Sequence, residues 1–181
     1  MRKLIYLINV TIDGIADHNA VIADDELHDF YTNLLGTVDT VLFGRKTYKL
    51  MVSFWPNASS DPNTTKSELA FAEKFNSISK IVFSKTLLKA EWNNTTLVKN
   101  DIVEEVKKLK QQSGGNLSIG GISAALTLAN AGLIDEFWFL VQPIIAGVGR
   151  QLFEGINTKH DLKFIESQKL KSGVIALHYE K

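Results

Sequence analysis

Three short stretches of the 181-residue sequence carry residue types and spacings suited to holding phosphate groups. The first is Ile119-Gly120-Gly121-Ile122-Ser123, which closes a short apolar run and opens one rich in Ala and Leu. Glycines lack Cβ atoms, so a ligand can approach the backbone where a strand gives way to a helix. The first amides of a helix are unpaired and carry the positive end of its dipole, which favours a phosphate. Gly120, Gly121, Ile122 and Ser123 are therefore a candidate diphosphate cradle. The spelling is neither G-x-G-x-x-G nor a Walker motif, and a plain tight turn explains two glycines equally well. The second stretch is Gly44-Arg45-Lys46-Thr47, a close-approach glycine, two cations and a hydroxyl at a helix start. Arg45 can fork onto two oxygens of a phosphate monoester. Ser84-Lys85 adds another hydroxyl and cation.

Each stretch alone also reads as a helix cap with ordinary surface charge. Jointly they suit a dinucleotide with a diphosphate and a separate monophosphate. That describes NADPH, and the cations favour it over NADH. A side chain larger than hydrogen at Gly121 is then expected to block the cofactor while sparing the fold.

The elements that must position these stretches follow from hydropathy patterning. Lys3 to Val10 reads as a buried strand, and Thr11-Ile12-Asp13-Gly14 breaks it. Asp24-Asp25-Glu26 opens a helix on which Leu27, Phe30, Tyr31, Leu34 and Leu35 recur at helical spacing, and Gly36 ends it. Strands are expected at 40–43, 80–83 and 95–98, a helix from Gly44 through Met51, and others at 68–75 and 101–112. Residues 53–65 read as a loop, the best candidate for a mobile segment. Ile134 to Ile145 reads as one long strand covered on both faces, and 162–165 with 174–177 as a closing pair around Lys171-Ser172-Gly173. Alternating strands and helices imply a single α/β domain over 1–181: three layers, a mostly parallel central sheet, and antiparallel C-terminal strands. Ligands in such sheets sit at the carboxyl ends of the strands, where all three stretches fall.

Composition narrows the function classes. Lys plus Arg equals Asp plus Glu at 20 each, so no net field draws nucleic acid or an anionic membrane. The absence of cysteine excludes disulfides, thiolate metal sites and a cysteine nucleophile. The four histidines show no metal-ligand spacing, and no metal is expected. Asn9, Thr11 and Asp13 interrupt the N-terminal apolar run too early for a signal peptide, and no run suits a membrane span. A cytoplasmic protein acting on a small molecule is expected.

At these residues the sequence resembles the dihydrofolate reductase-like superfamily, nearest to the group containing the reductase domain of riboflavin biosynthesis. Val41 to Tyr48 is similar to the family's strand-Gly-Arg-x-Thr element, which implies Gly44, Arg45, Lys46 and Thr47 as phosphate contacts. Ile81 to Lys85 resembles the strand and loop completing the 2′-phosphate site, and Ile119-Gly120-Gly121 the diphosphate glycines. Gly132 to Glu136, Pro143 and Gly147-Val148-Gly149 with Leu152-Phe153 resemble the C-terminal half of the reductase domain. The resemblance implies an NADPH-dependent reductase of a planar nitrogen heterocycle, a pterin or a riboflavin-pathway aminopyrimidine. It also implies a homodimer paired through the C-terminal strands. Glu26 and Phe30 stand four apart on one helix face, as the family's acid and substrate-binding aromatic do. Asp25 competes with Glu26, and either carboxylate also reads as ordinary first-turn stabilisation. Asp13, with Thr11, is a third candidate that would hold substrate near the nicotinamide. Riboflavin-pathway reductases often carry an acid just before the double glycine, where this sequence has Ile119. A nucleotide-binding module of this fold that has lost catalysis is the second reading.

Overall fold

Strands and helices alternate along most of the chain, and a computed structural model describes all residues, 1–181. In chain order they are β1 (Leu4–Thr11), α1 (Asp25–Leu34), β2 (Val38–Gly44), α2 (Arg45–Val52), α3 (Lys66–Ser77), β3 (Ser79–Phe83), β4 (Thr95–Val98), α4 (Ile102–Gln111), β5 (Asn116–Gly120), α5 (Ser123–Asn130), β6 (Glu136–Gln142), β7 (Lys163–Lys169) and β8 (Ile175–Glu180). The eight strands form one sheet in the order β4-β3-β2-β5-β1-β6-β8-β7. β1 to β6 are mutually parallel, β8 runs antiparallel to β6, and β7 closes the sheet antiparallel to β8. This is the three-layer dihydrofolate reductase-like arrangement that the sequence implies.

Alternation along the strands divides the core in two. Ile5, Val41, Phe43, Val82, Trp138 and Leu140 point to one side, where Leu27 of α1 and Phe71 and Phe75 of α3 cover them. Leu4, Tyr6, Leu42, Ile119 and Phe137 point to the other, beneath Val106 and Leu109 of α4 and Ala125 and Leu128 of α5. Ile119, the residue before the double glycine, is fully buried on this second side.

Four elements differ from the sequence reading. The long apolar run yields a strand only from Glu136 to Gln142, because Pro143 has no N–H to continue the ladder. α3 starts at Lys66, where Thr65 and Glu68 form a reciprocal capping box. Residues 55–60 are a 3₁₀ turn rather than open loop, and Trp55 packs edge-on against Phe71 at 4.6 Å. β7 reaches Lys169 and is exposed on both faces, so its Glu166-Ser167-Gln168 carries no hydropathy signal. No helix is long and apolar enough to cross a membrane.

Candidate functional site

Register places the phosphate-suited stretches side by side. Phe43 pairs with Gly120, so Gly44 and Gly121 leave the sheet together, and Gly44 pairs with Phe83, which brings Ser84-Lys85 beside Arg45-Lys46. The starts of α2 and α5 therefore abut. A Cβ on Gly44 would stand 3.6 Å from that of Ala124, and one on Gly121 would overlap Thr47 Oγ1. Gly121 also has φ +86°, a conformation side chains resist. The expectation that a residue larger than glycine here spares the fold is thus corrected: Gly121 is demanded by its own backbone and by Thr47. Gly120 has ordinary φ, and a Cβ there would find Phe43 and Thr47 at 3.8 and 3.9 Å, which is normal contact.

Helix starts separate this corner from the rest of the molecule. α1, α3 and α4 are capped by the side chains of Asp24, Thr65 and Asp101, and each has an acid in its first turn. α2 and α5 have neither a side-chain cap nor a first-turn acid. Their leading amides are unspent, and α2 adds Arg45 and Lys46 to the positive end of its own dipole. Neither cation, nor Lys85, takes part in an ion pair. Ser84 Oγ accepts from the amides of Thr86 and Leu87 (3.2 and 2.9 Å), which fixes the loop after β3 and leaves its proton to donate. Unspent amides, unpartnered cations and a glycine at closest approach fit a dinucleotide carrying a diphosphate and one further phosphate. Gly44, Arg45, Lys46, Thr47, Ser84, Lys85, Gly120, Gly121, Ile122 and Ser123 are the residues brought to this corner.

The carboxylates singled out by sequence have other work. Asp13 accepts from Thr11 Oγ1 (2.6 Å) and from the amides of Ala146 and Gly147 (3.1 and 2.7 Å). Those bonds, that from Thr11 foremost, hold its pKa down at about 2. It is ionised at neutral pH and fastens the loop after β6 to the loop after β1. Asp25 accepts from Thr65 Oγ1 at 2.5 Å and ties α1 to α3. Glu26 accepts from the Lys171 amide at 2.6 Å and ties α1 to the β7–β8 hairpin. Phe30 packs edge-on against Trp138 at 5.5 Å. Glu26 and Phe30 do share a face, but it lines a groove of about 370 Å³ with Asp29, Asn33, Trp138 and Gln168, none of which belongs to the glycine corner.

A polar chain missed by the sequence reading lies at the carboxyl ends of β1 and β6, on the α1 side. The Ile22 amide donates to Gln142 Oε1 (3.0 Å), Gln142 Nε2 donates to Asn9 Oδ1 (2.9 Å), and Asn9 Nδ2 donates to the Tyr31 hydroxyl (2.6 Å). A backbone N–H can only donate, so its place at one end orients both amides in turn. The Tyr31 oxygen therefore accepts, and its proton is left over. Burial pushes the Tyr31 phenol well above its ordinary range, so that proton stays on at any ordinary pH. The available signal was Asn9 and Gln142, two amides inside otherwise apolar strands, with Gln142 fully buried.

Comparison with known proteins agrees with the fold. Residues 2–176 match the family described as RibD C-terminal domain. The uncharacterized protein YyaP of Bacillus subtilis (strain 168) is 32% identical, over 98% of this chain and 94% of its own. Among solved structures, a Shewanella sp. PV-4 protein provisionally named for riboflavin biosynthesis superposes with TM-score 0.71 at 20% identity, covering 99% of this chain and 98% of that one. A diaminohydroxyphosphoribosylaminopyrimidine deaminase/5-amino-6-(5-phosphoribosylamino)uracil reductase of Thermotoga maritima superposes with TM-score 0.66 at 16% identity. That match covers 99% of this chain but 56% of the longer enzyme.

Proposed function

The chain belongs to the RibD C-terminal domain family, and from that premise we propose that it is an NADPH-dependent reductase of a planar nitrogen heterocycle, a pterin or an aminopyrimidine of the riboflavin-pathway kind. The observation that carries this reading is the pair of abutting, uncapped helix starts of α2 and α5, with three cations that have no carboxylate partner. In this reading Arg45, Lys46 and Lys85 hold the 2′-phosphate. Thr47 and Ser84 supply hydroxyls, and the amides from Gly120 to Ser123 hold the diphosphate beside Gly44. NADPH, when bound, supplies the hydride. The substrate lies across the carboxyl end of β1, between α1 and the nicotinamide. Reduction of a carbon–nitrogen double bond leaves an electron pair on nitrogen that takes up a proton from solvent, and the Tyr31 hydroxyl, whose oxygen accepts from Asn9, keeps its own proton free to hydrogen-bond the substrate. Thr11 and Asp13 keep the first loop in place beneath it.

A second reading, a nucleotide-binding module without catalysis, draws on one observation. Asp13, Asp25 and Glu26 are all engaged in structural bonds. The deciding experiment is a screen of NADPH oxidation by absorbance with dihydrofolate, biopterins and riboflavin-pathway pyrimidines. Oxidation with one of them supports the reductase. Tight NADPH binding without oxidation in any supports the module, and no NADPH binding refutes both. Assembly as a homodimer through the C-terminal strands belongs to the same proposal, because Phe164, Ile165 and Ile175 there are apolar and exposed.

A further inference from the structure

Arg150 is the cation that the fold delivers to the start of α5 from the β6 side. It lies in the loop after β6, where Gly147 and Gly149 take positive φ. A Cβ on Gly149 would overlap Ile15 Cγ2, so the loop presses against the first loop where only glycine fits. The press is held from both sides. Asp13 takes the Ala146 and Gly147 amides, Ala16 N donates to Arg150 O (3.0 Å), and Leu152 N donates to Gly14 O (2.9 Å). With its backbone fixed, Arg150 extends its guanidinium to Ser123, the first residue of α5, and Nη1 donates to Ser123 Oγ at 2.9 Å.

Electrostatically this is the wrong place for a lone cation. The start of α5 is the positive end of its dipole, has no side-chain cap, and contains no acid. Arg150 makes no ion pair, and Ser123 Oγ is its only side-chain partner. One hydrogen bond to a neutral hydroxyl leaves four of the five guanidinium N–H groups unspent. A second observation points the same way. The Tyr6 hydroxyl, on β1 beneath α5, is buried with no hydrogen-bond partner; burial raises its pKa, and the positive charge of Arg150 opposes that rise. A buried donor without an acceptor thus lies within electrostatic reach of a cation without an anion.

We propose that Arg150, positioned by Ser123, is a direct ligand of the cofactor diphosphate, clamping it against the first turn of α5 from the β6 side. This deepens the NADPH reading and rests on it. The loop after β6, tied down by Asp13, then forms one wall of the cofactor site. Arg45 and Lys46 grip the opposite, adenosine end.

The test titrates purified wild type, Arg150→Gln, Arg150→Lys and Arg45→Ala with NADPH and with adenosine 2′-monophosphate, a fragment that lacks the diphosphate. Loss of charge-assisted bonds at one cation weakens binding about tenfold or more. Arg150→Gln is expected to lose that much for NADPH and nothing for the fragment, with Arg150→Lys between. Arg45→Ala is expected to weaken both. Arg150 is exposed, and circular dichroism melting is expected to show Arg150→Gln as stable as wild type. If wild type binds NADPH and Arg150→Gln binds it as tightly, the assignment of Arg150 fails while the functional reading stands. Equal weakening of both ligands by Arg150→Gln also overturns it, since that is general disturbance of the site. If wild type binds no NADPH, the functional reading falls and the assignment with it.

Discussion

Replacement of Arg45 by alanine should move the free and the cofactor-bound protein in opposite directions. Arg45 is the first residue of α2, exposed, unpaired, and followed by Lys46 at the positive end of a helix with no cap and no first-turn acid. A cation there is opposed by the dipole by about 0.3–1 kcal/mol at low ionic strength. Removing it should therefore raise the melting temperature of the free protein by about 1–3 °C, at the conversion usual for a chain of this size. The bound protein should lose. Charge-assisted bonds from a guanidinium to a phosphate are worth about 1.5–3 kcal/mol, so affinity for NADPH should drop by about tenfold or more. At a concentration about 100 times the wild-type Kd, NADPH stabilises wild type by about 2.7 kcal/mol. A tenfold weaker variant at the same concentration gains only about 1.4 kcal/mol. The assay is thermal denaturation with and without NADPH at low salt. A variant that melts earlier without cofactor, or gains the full wild-type shift with it, would show that Arg45 serves the fold rather than a phosphate.

Three further outcomes test other parts of the structure. Lys80 is buried, donates to the carbonyls of Phe75, Asn76 and Ile78 (2.9, 3.1 and 2.7 Å), and is lowered by burial from 10.5 to about 8. Between those values the unfolded chain binds a proton that the folded chain does not, so folding stability rises with pH across that window and levels off above it. Lys80→Met should remove this increment, up to about 3 kcal/mol, and identical pH dependence in wild type and variant would refute the assignment. Gly121→Ala should lower the melting temperature by several degrees because of its positive φ and Thr47, whereas Gly120→Ala should leave it in place; calorimetry showing both variants unchanged would contradict the packing at the helix junction. Light scattering should give a particle of two 20.1 kDa chains, with Ile175→Asp shifting it to one, and a wild-type monomer would sink the dimer.

Elements with one dominant local cause were legible in the sequence. The run of Ile and Leu in β1, the acids opening α1, and the glycines ending β2 and β5 each follow from burial, dipole or backbone freedom, and the structure has them where the pattern puts them. So was the grouping of Gly44, Arg45, Ser84 and Gly121, because parallel strands deliver their carboxyl ends to one edge. What stayed hidden depends on long-range pairing. Glu26 meets the Lys171 amide across 145 residues, and Asp13 meets Gly147 across 134, so no local pattern could report that these acids are occupied. The orientation of Tyr31 is set by an amide chain running from Ile22 through Gln142 and Asn9. β7 escaped notice beyond Ile165 because an edge strand open on both faces has no apolar alternation to show.

The measurement that bears most directly on the account is the affinity of the wild-type protein for NADPH against NADH, by direct titration under the same conditions. Three unpaired cations beside the starts of α2 and β3's following loop predict tight NADPH binding and NADH weaker by about tenfold or more, with the difference shrinking as salt rises. Equal affinity for the two dinucleotides would contradict it, because nothing in the corner would then be reading the 2′-phosphate.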